Sequence, residues 1–437
     1  MKEIKWGCIQ PLTGGMYIGA EYAIGKPASW VISYPGLCGI KYKQDGTIGS
    51  AGNEYNFLQW CKKRNEVPPY FVFDRKIFDT NIDVDNINIL LDENWSTAKK
   101  PDFKNTDIIV SVPVCSGLSQ ATIAEDDTKD ERNSNMIFNA TYALKVIKPK
   151  VYIFENAPAL YSHNGEHVRE ILNKLGKECG YSVGYFKTDT QYHDNPQKRP
   201  RTFVMFLQHR GKDKGFPTFN YEHKTTSIKE YFGRISKNAS QQDLFANFSE
   251  SNQILLGFIK SKFGDNYREV CRSVMSTITR NNLWDEAIEY ANNFDADEAS
   301  RNKVAKFLNH ARSKLEMGKN YYSITPWWAE TEESKVPSCM FKTIYSYMHP
   351  TEDRLLSVRE WLHLMGHPED FELYGEVGDN ISRIGQNVPV NTAKYIVSEA
   401  VRFVNNWDTI ERNNPEVYMF DNTKYKETKP SKAKRLF

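Results

Sequence analysis

Apolar runs recur along the first half of the chain at a spacing typical of strands separated by helices. Between several of these runs lie helical patterns, and from Ser134 to Ile147 the apolar residues share one helix face. Buried strands that alternate with amphipathic helices predict an α/β fold, with a mostly parallel sheet covered by helices on both sides. The runs expected to be strands are IKWGCIQ, SWVIS, YFVF, DIIVSV, VYIF and TFVMFL.

The pattern changes after the last of these runs and predicts a second domain. Residues 210–350 carry helical patterns separated by aromatic loops such as YYSITPWW, without the alternation of strand and helix. Amphipathic helices return in RLLSVREWLHLMG and NTAKYIVSEAVRFVNNW, and the end of the chain is lysine-rich. We therefore expect a catalytic domain at 1–209, a partly helical domain at 210–350, closing helices at 351–410 that return to the first domain, and a basic tail at 411–437.

Composition narrows the class of protein. The 437 residues include 57 Lys and Arg against 55 Asp and Glu, so the net charge of +2 gives no global signal for a polyanionic partner. No apolar run approaches the ~18 residues of a membrane span, and the amino terminus lacks the apolar core of a signal peptide. Seven scattered cysteines form no CxxC pair and show no metal-ligand spacing. These features predict a cytoplasmic protein with reduced thiols, no membrane partner and no metal site.

Four short elements combine reactive side chains with turns. Each lies at or near the end of a predicted strand or before a helix, where α/β proteins bind ligands. Together they supply a thiol (Cys115), a carboxyl beside an amide, two arginines and a glycine turn. The elements are PVCSGLS (113–119), FENAPAL (154–160), QKRPRTF (197–203) and IGQNVPV (384–390).

This set of groups suits chemistry at carbon-5 of cytosine. That carbon is a poor nucleophile until a thiolate adds to the adjacent carbon-6 and converts the ring to an enamine. Negative charge then develops on the ring nitrogen and the carbonyl oxygen, where a carboxyl can donate a proton and arginine can donate hydrogen bonds. Nearby arginines would also lower the pKa of the thiol.

The four elements in this order resemble those of the DNA (cytosine-5)-methyltransferase family. The family carries a Pro-Pro-Cys-Gln loop, a Glu-Asn-Val element, a Gln-x-Arg-x-Arg element and a late Gly-Asn-x-Val element. The resemblance implies a Rossmann-like, S-adenosylmethionine-dependent methyltransferase sheet with a second, smaller, partly helical target-recognition domain. It implies Cys115 as nucleophile, Glu155 as the acid held by Asn156, Arg201 and Arg199 as donors to the base carbonyl, and Gln197 as the residue that orders the loop.

The same resemblance implies S-adenosyl-L-methionine as the cofactor. The string CIQPLTGGMYIGAEYAIG matches, in its second half, a cofactor loop followed by a helix. Glycines in such a loop let the backbone approach a ligand at the helix amino terminus. The residues expected to bind the cofactor are Gly14, Gly15, Met16, Asp74, Pro113, Gln386 and Val388.

Departures from the family pattern cluster on the donor side. Cys8 and Gln10–Leu12 replace an acidic residue and a phenylalanine-containing turn, and Ser33–Pro35 replace the acid that grips the ribose. Gln386 stands for asparagine, Val114 for the second proline of the nucleophile loop and Ser116 for its glutamine. Three explanations stay open: S-adenosylmethionine bound through altered contacts, a different donor, or a partner chain that completes the site. The first is favoured.

The resulting hypothesis is a DNA cytosine carbon-5 methyltransferase that forms a covalent Cys115 adduct with a flipped cytosine. Such an enzyme would act in restriction-modification or in phage DNA modification. Its partner would be double-stranded DNA, to which it would bind as a monomer, with a partner subunit not excluded. The alternatives are transfer of a group other than methyl from a non-standard donor, and a non-catalytic DNA-binding paralogue or subunit. Transfer to cytosine in RNA is less favoured.

Overall fold

A computed structural model of the chain describes residues 3–77, 79, 83–92, 95, 100–118, 133–209, 224–245, 247–270, 274–318, 327–328, 347–349, 351–407, 417–424 and 434–435. The chain divides into two compact units. The first consists of Met1–Thr225, Leu364–Gly375 and Asn387–Phe437, and the second of Thr226–His363 and Glu376–Gln386. The segment 351–410, expected to return as a whole to the first domain, is thus divided between the two units.

The first unit is built on a ten-stranded sheet in the order β14-β13-β9-β10-β8-β7-β1-β2-β5-β6. The central strands β5, β2, β1, β7 and β8 are parallel, whereas β10 runs antiparallel to both β8 and β9. A short antiparallel hairpin, β3–β4, stands apart from the sheet. The strands are β1 Trp6–Ile9, β2 Trp30–Ser33, β3 Ile40–Tyr42, β4 Ile48–Ala51, β5 Tyr70–Phe73, β6 Ile89–Leu91, β7 Ile108–Ser111, β8 Val151–Asn156, β9 Tyr181–Asp189, β10 Pro200–Gln208, β13 Val417–Asp421 and β14 Lys434–Arg435.

Helices cover both faces of this sheet because its central strands are apolar on both sides. The fully buried runs of β1, β2 and β7 leave no face for solvent. One face packs against α3 Asn133–Tyr142 and α4 Glu166–Cys179, and the other against α1 Gly15–Ile24, α2 Asn53–Lys63 and α13 Val390–Asn405. The predicted α/β fold with a mostly parallel, doubly covered sheet is confirmed.

The second unit is mainly helical and has its own apolar core. Its centre is formed by α6, α9 and α10, whose buried side chains include Ile259, Trp284 and Leu308. The helices of this unit are α5 Ile228–Phe232, α6 Glu250–Phe263, α7 Tyr267–Val270, α8 Val274–Arg280, α9 Trp284–Asn293, α10 Glu298–Glu316 and α12 Val377–Gly385, and a strand pair joins β11 Trp327–Trp328 to β12 Tyr347–Met348. Helix α11 spans Val358–Leu364. Most of YYSITPWW lies outside the described residues.

Part of the segment 411–437, expected to be a basic tail, pairs with the sheet. Strand β13 pairs in parallel with β9 along Val417–Asp421, and β14 pairs with β13 at the sheet edge. The apolar residues of VYMFD carry this pairing, since Tyr418 is buried against the sheet. Among the described residues, no helix has the length and apolarity to cross a bilayer, and no group of three His, Cys, Asp or Glu side chains could hold a metal ion.

Candidate active site

Cys115 lies on the loop that follows β7, at the carboxyl edge of the sheet. The N–H of Leu118 donates to the carbonyl of Cys115 at 3.1 Å, which closes a 3-10 turn over Ser116–Leu118. Gly117 lies so close to α3 that a Cβ there would be 2.3 Å from the side-chain oxygen of Asn133. The glycine therefore lets the turn sit against the helix, and the thiol stays half-buried beside it.

Two buried asparagines hold Val114, the residue before the thiol. The backbone N–H of Val114 donates to Oδ1 of Asn135 at 2.8 Å, and Nδ2 of Asn156 donates to the carbonyl of Val114 at 3.5 Å. Asn156 also accepts the N–H of Ala157 through its Oδ1. The asparagine of the FENAPAL element therefore binds the nucleophile loop as well as the turn after β8.

Glu155 stands beside Arg201 on neighbouring strands. It is the penultimate residue of β8, and the antiparallel register with β10 places it opposite Phe203, two residues from Arg201. The Nε of Arg201 lies 2.7 Å from Oε1 of Glu155, and both side chains are largely buried. Burial raises the pKa of the Glu155 carboxyl, while the guanidinium groups of Arg201 and Arg199 oppose this rise. A carboxyl with a raised pKa can hold a proton for a base.

The thiol of Cys115 is under the influence of the same three charges. Burial raises its pKa, the Glu155 carboxylate raises it further, and Arg201 and Arg199 lower it. The structure thus brings together all four residues that the sequence predicted as catalytic. In the chain alone the thiol favours its protonated form, so protonation of Glu155 would favour the thiolate by removing a neighbouring negative charge.

The two predicted arginines occupy different surroundings. Arg201 meets Glu155, whereas Arg199 is buried and donates from Nη2 to the carbonyl of Asn387 at 2.8 Å. The backbone N–H of Arg199 donates to Oδ1 of Asp189. The contacts of Arg199 therefore anchor the strand, and Arg201 is the arginine paired with the candidate acid.

Gln197 orders the segment that leads into β10. Its backbone N–H donates to Oδ1 of Asn195 at 3.0 Å, and its Nε2 donates to the carbonyl of Leu364 at 3.3 Å. Asn195 donates to the same carbonyl at 2.7 Å. Gln197 and Asn195 are thus both bonded to the carbonyl of Leu364.

Asn387 is a junction that sequence reasoning missed. Its Oδ1 accepts the backbone N–H of Gly15 at 3.0 Å, and its Nδ2 lies 2.7 Å from Nε2 of His367. A Cβ on Gly15 would come within 1.9 Å of the Val388 carbonyl oxygen, so only glycine allows this approach. Asn387 occupies the variable position of the Gly-Asn-x-Val element, which is why the pattern gave no signal.

Backbone hydrogen bonds fix the glycine turn that follows β1. Gln10, Leu12 and Gly14 all have positive φ, at 57°, 54° and 89°. The N–H of Gln10 donates to the Ile32 carbonyl, and that of Gly14 donates to the Pro11 carbonyl. Together with the Gly15 contact to Asn387, these bonds fix the turn at the start of α1.

Glu54, a second residue missed by sequence reasoning, brings a carboxylate to the end of β2. Its Oε1 accepts from the Ser33 hydroxyl at 2.6 Å and its Oε2 from the Tyr70 hydroxyl at 2.6 Å. Burial raises the pKa of Glu54 to about 7, although Ser33, Tyr70 and the Leu12 N–H donate to it. Ser33 stands where the family has its ribose-binding acid, so helix α2 supplies the acid that β2 lacks.

Two further departures from the family pattern, Gln10 and Tyr34, belong to a second group of buried, hydrogen-bonded side chains. The Tyr34 hydroxyl donates to Oδ1 of Asn139 at 2.6 Å, and Nδ2 of Asn139 lies 3.3 Å from Oε1 of Gln10 and 3.4 Å from the Ser111 hydroxyl. These four residues join the ends of β1, β2 and β7 to helix α3. The unusual residues at 10 and 34 therefore share Asn139 as a buried hydrogen-bond partner.

The residues predicted to bind the cofactor differ in their accessibility. Asp74 is exposed and accepts from Nδ2 of Asn88 at 2.7 Å. Gln386 is exposed at the end of α12. The other five are buried, and direct contact with a ligand would require their surroundings to open; they are Gly14, Gly15, Met16, Pro113 and Val388.

The accessible residues at the carboxyl ends of the strands have the chemistry of an adenosine site. Leu12 follows β1, Pro35 follows β2, Asp74 follows β5 and Val114 follows β7, and all four have exposed surface. Three apolar residues and one carboxylate suit an aromatic base with polar hydroxyl and amino groups. These side chains fit the adenosine part of S-adenosylmethionine, and Asp74 is the accessible acid among them.

A half-buried thiol and a paired acid and arginine thus lie at one edge of the sheet. The chain belongs to the C-5 cytosine-specific DNA methylase family, whose model matches residues 75–402. That range includes Cys115, Glu155 and Arg201, and it begins after the Gly14–Gly15 turn.

Three curated relatives are similar to this chain at low identity. Type II methyltransferase M.PspPI of Psychrobacter sp. (strain TA137) is 23% identical over 63% of this chain and 59% of its own length. DNA (cytosine-5)-methyltransferase 3 of Arabidopsis thaliana is 22% identical over 89% of this chain and 29% of its own length. Type II methyltransferase M1.HphI of Haemophilus parahaemolyticus is 21% identical over 78% of this chain and 80% of its own length. The chain thus covers less than two thirds of the first two relatives.

Solved structures also resemble the chain. The S. pombe Dnmt2 methyltransferase is 13% identical with a TM-score of 0.47, covering 92% of this chain and 100% of its own. The Entamoeba histolytica methyltransferase EhMeth is 12% identical with a TM-score of 0.48, covering 94% of this chain and 100% of its own.

Proposed function

We propose that this protein is a DNA cytosine carbon-5 methyltransferase that works through a covalent bond between Cys115 and the target base. The observation that carries the proposal is the thiol on the β7 loop, within reach of the charges of Glu155 and Arg201, which themselves pair at 2.7 Å. A thiol, a buried carboxyl and a guanidinium are the groups that addition to cytosine requires.

Each of the three residues has a distinct task in the reaction. The Cys115 thiolate adds to carbon-6 of the cytosine, and Glu155 donates its proton to the ring nitrogen, which receives the displaced electrons. Arg201 donates hydrogen bonds to the base carbonyl and, after the proton has left, neutralises the Glu155 carboxylate. After carbon-5 has taken the methyl group, loss of its proton to a base and return of the ring-nitrogen proton to Glu155 restore the ring double bond and release the thiolate. Burial raises the pKa of Glu155 and so favours proton uptake by its carboxyl, which suits a group that must donate a proton.

S-adenosylmethionine would supply the electrophilic methyl group that carbon-5 attacks. Asp74 would accept hydrogen bonds from the adenosine part, and Leu12, Pro35 and Val114 would contact its ring and sugar. The buried Glu54 would hold the turn at Leu12 against the end of β2 at Ser33. The chain thus keeps an acid at the strand end but moves it from the strand to a helix.

Double-stranded DNA is the proposed substrate. The target cytosine must leave the stack to reach Cys115, an extrusion that costs a few kcal/mol. We assign sequence recognition to the helical second unit, where exposed Lys237 and Asn238 offer groups for phosphates and base edges. Restriction-modification or phage DNA modification would be the setting, in line with the type II methyltransferase names of relatives.

Mass spectrometry of a trapped complex tests the proposal. The protein is incubated with duplex DNA containing 5-fluorocytosine in varied sequence contexts, with and without S-adenosylmethionine. Fluorine at carbon-5 blocks release, so we expect a covalent complex that carries one added methyl mass. Cys115→Ala should lose the complex, whereas Cys179→Ala, a half-buried cysteine at the end of α4, should retain it.

Other outcomes of this experiment identify the alternatives. A covalent complex formed only with cell extract and carrying a different added mass would show a donor other than S-adenosylmethionine. No complex in any DNA context would contradict the proposed chemistry and favour a non-catalytic DNA-binding role. Replacing the duplex by RNA of the same sequence distinguishes the nucleic acid substrate.

A further inference from the structure

The nucleophile loop of this chain has a valine where the family has its second proline. Proline fixes the backbone angle φ near −65° and has no N–H, so a Pro-Pro pair restrains the loop and leaves no donor to satisfy. Val114 lacks the ring and introduces an N–H next to the thiol. The loop therefore needs another restraint and a partner for that N–H, because an unpaired buried donor is costly.

Asn135 meets both needs. Its Oδ1 accepts a hydrogen bond from the Val114 N–H at 2.8 Å. Asn135 is only 1% exposed, so water does not compete for this bond. Asn135 is the third residue of α3, a helix packed into the core through Met136 and Phe138. The acceptor is therefore held by a rigid element.

The opposite side of Val114 is restrained as well. Asn156 donates to its carbonyl at 3.5 Å and is itself fully buried at the end of β8. The residue before Cys115 is thus held from α3 through its N–H and from β8 through its carbonyl. Since Glu155 precedes Asn156, the same strand end fixes both the acid and the loop that bears the thiol.

We propose that Asn135 is a positioning residue for the nucleophile, and that its side-chain carbonyl replaces by a hydrogen bond the restraint that proline gives to relatives. The inference rests on the proposed function, because it takes Cys115 as the reacting group. Asn135 acts on Cys115 only through Val114. The effect of losing Asn135 therefore depends on whether residue 114 carries an N–H.

A double-mutant cycle tests this dependence. Asn135→Ala leaves the Val114 N–H without its acceptor and should slow formation of the 5-fluorocytosine adduct about tenfold or more. Val114→Pro alone removes the N–H but brings the proline ring against Oδ1 of Asn135, so this variant should also form the adduct more slowly than the wild type. In the double variant, Val114→Pro should restore most of the rate lost in Asn135→Ala. Asn309→Ala, on the exposed face of α10, is the control.

A second readout separates this inference from the proposed function. The rate of Cys115 alkylation by iodoacetamide is measured in the protein without DNA for the wild type and the three variants. Rescue by Val114→Pro in the Asn135→Ala background supports the inference, even where the wild type forms no DNA adduct and the proposed function fails. Equal alkylation in Asn135→Ala and the double variant overturns it, even where the wild type methylates DNA.

Folding of the variants provides another comparison of Asn135→Ala with the double variant. Where Asn135→Ala fails to fold, the fraction folded in the double variant is measured by circular dichroism and thermal unfolding. Recovery of folding by Val114→Pro supports the inference, because proline at residue 114 removes the N–H that Asn135→Ala leaves without its acceptor. A double variant that stays unfolded overturns it.

Discussion

The Nε of Arg201 lies 2.7 Å from the carboxylate of Glu155, on the neighbouring strand of the sheet. The pair is largely buried, so its two charges interact in a medium of low dielectric and also act on the Cys115 thiol nearby. One arginine therefore influences both the proposed acid and the proposed nucleophile. Substitution of each of the three residues should therefore have a different effect on the acid and on the thiol.

Glu155→Gln should lower turnover by at least about a hundredfold, the usual scale for loss of a general acid. The amide keeps the size of the side chain and its contact with Arg201, but it cannot donate a proton to the ring nitrogen and become a carboxylate. Methyl transfer to DNA, measured by incorporation of a labelled methyl group, checks the prediction. Glu170→Gln on the exposed face of α4 is the control, and near-normal turnover in Glu155→Gln would remove Glu155 from the mechanism.

Arg201→Ala should raise the pKa of the Cys115 thiol, because the guanidinium lowers that pKa in the wild type. The midpoint of the pH dependence of Cys115 alkylation should move to higher pH. Arg201→Lys keeps a positive charge and should move it less. Arg312→Ala removes a partly exposed arginine of α10 and should leave the midpoint unchanged. An unaltered midpoint in Arg201→Ala would show that the charge does not reach the thiol.

Glu54→Gln should change the pH dependence of stability. The pKa of Glu54 is raised from an ordinary 4.5 to about 7, so the folded protein binds a proton there that the unfolded chain has released. Stability from this group is full below about pH 4.5 and is lost as the pH rises through about 7, a loss on the order of 3 kcal/mol.

Glutamine at 54 cannot ionise, so the variant should gain stability relative to the wild type as the pH rises through this window. Urea unfolding at a series of pH values from 4.5 to 8 measures the difference. Glu170→Gln should track the wild-type curve. A Glu54→Gln curve parallel to that of the wild type would show that Glu54 has no raised pKa.

Asn387→Ala should weaken both folding and cofactor binding. The substitution removes the acceptor of the buried Gly15 N–H, a loss of about 1–3 kcal/mol in the free energy of unfolding. The turn at the start of α1 would loosen, and titration calorimetry should show lower affinity for S-adenosylmethionine. Asn406→Ala, at the exposed end of α13, is the matched control. Unchanged unfolding in Asn387→Ala would contradict the role of Asn387 as a junction.

Most of the sheet could be predicted from the sequence because its central strands are short, continuous apolar runs. All six runs expected to be strands contain one in the structure. Strand β9 was missed because YSVGYFKTD mixes polar residues and a glycine with its apolar ones. Strand β13 was missed because it lies in a polar, lysine-rich end, where its five residues form a strand only by pairing with β9.

The candidate site was predictable where one short segment carries both a reactive group and its turn. Cys115, Glu155 and Arg201 each lie at a strand end, and parallel topology brings such ends together. Glu54 contacts two strands from helix α2, and Asn135 contacts the nucleophile loop from helix α3, so only tertiary packing reveals them. The departures from the family pattern at Ser33 and Val114 indicated that an acid and a loop restraint were missing. Glu54 brings a carboxyl to Ser33, and Asn135 bonds Val114.

Strand β13 has a consequence for how the chain reaches its native state. Its partner β9 lies more than 200 residues earlier in the sequence, so during synthesis β9 exists for some time with bare backbone groups along that edge. Such an edge can pair with other chains, which favours aggregation before β13 has been synthesised. Removal of the residues from Val417 onward would make that transient hazard permanent.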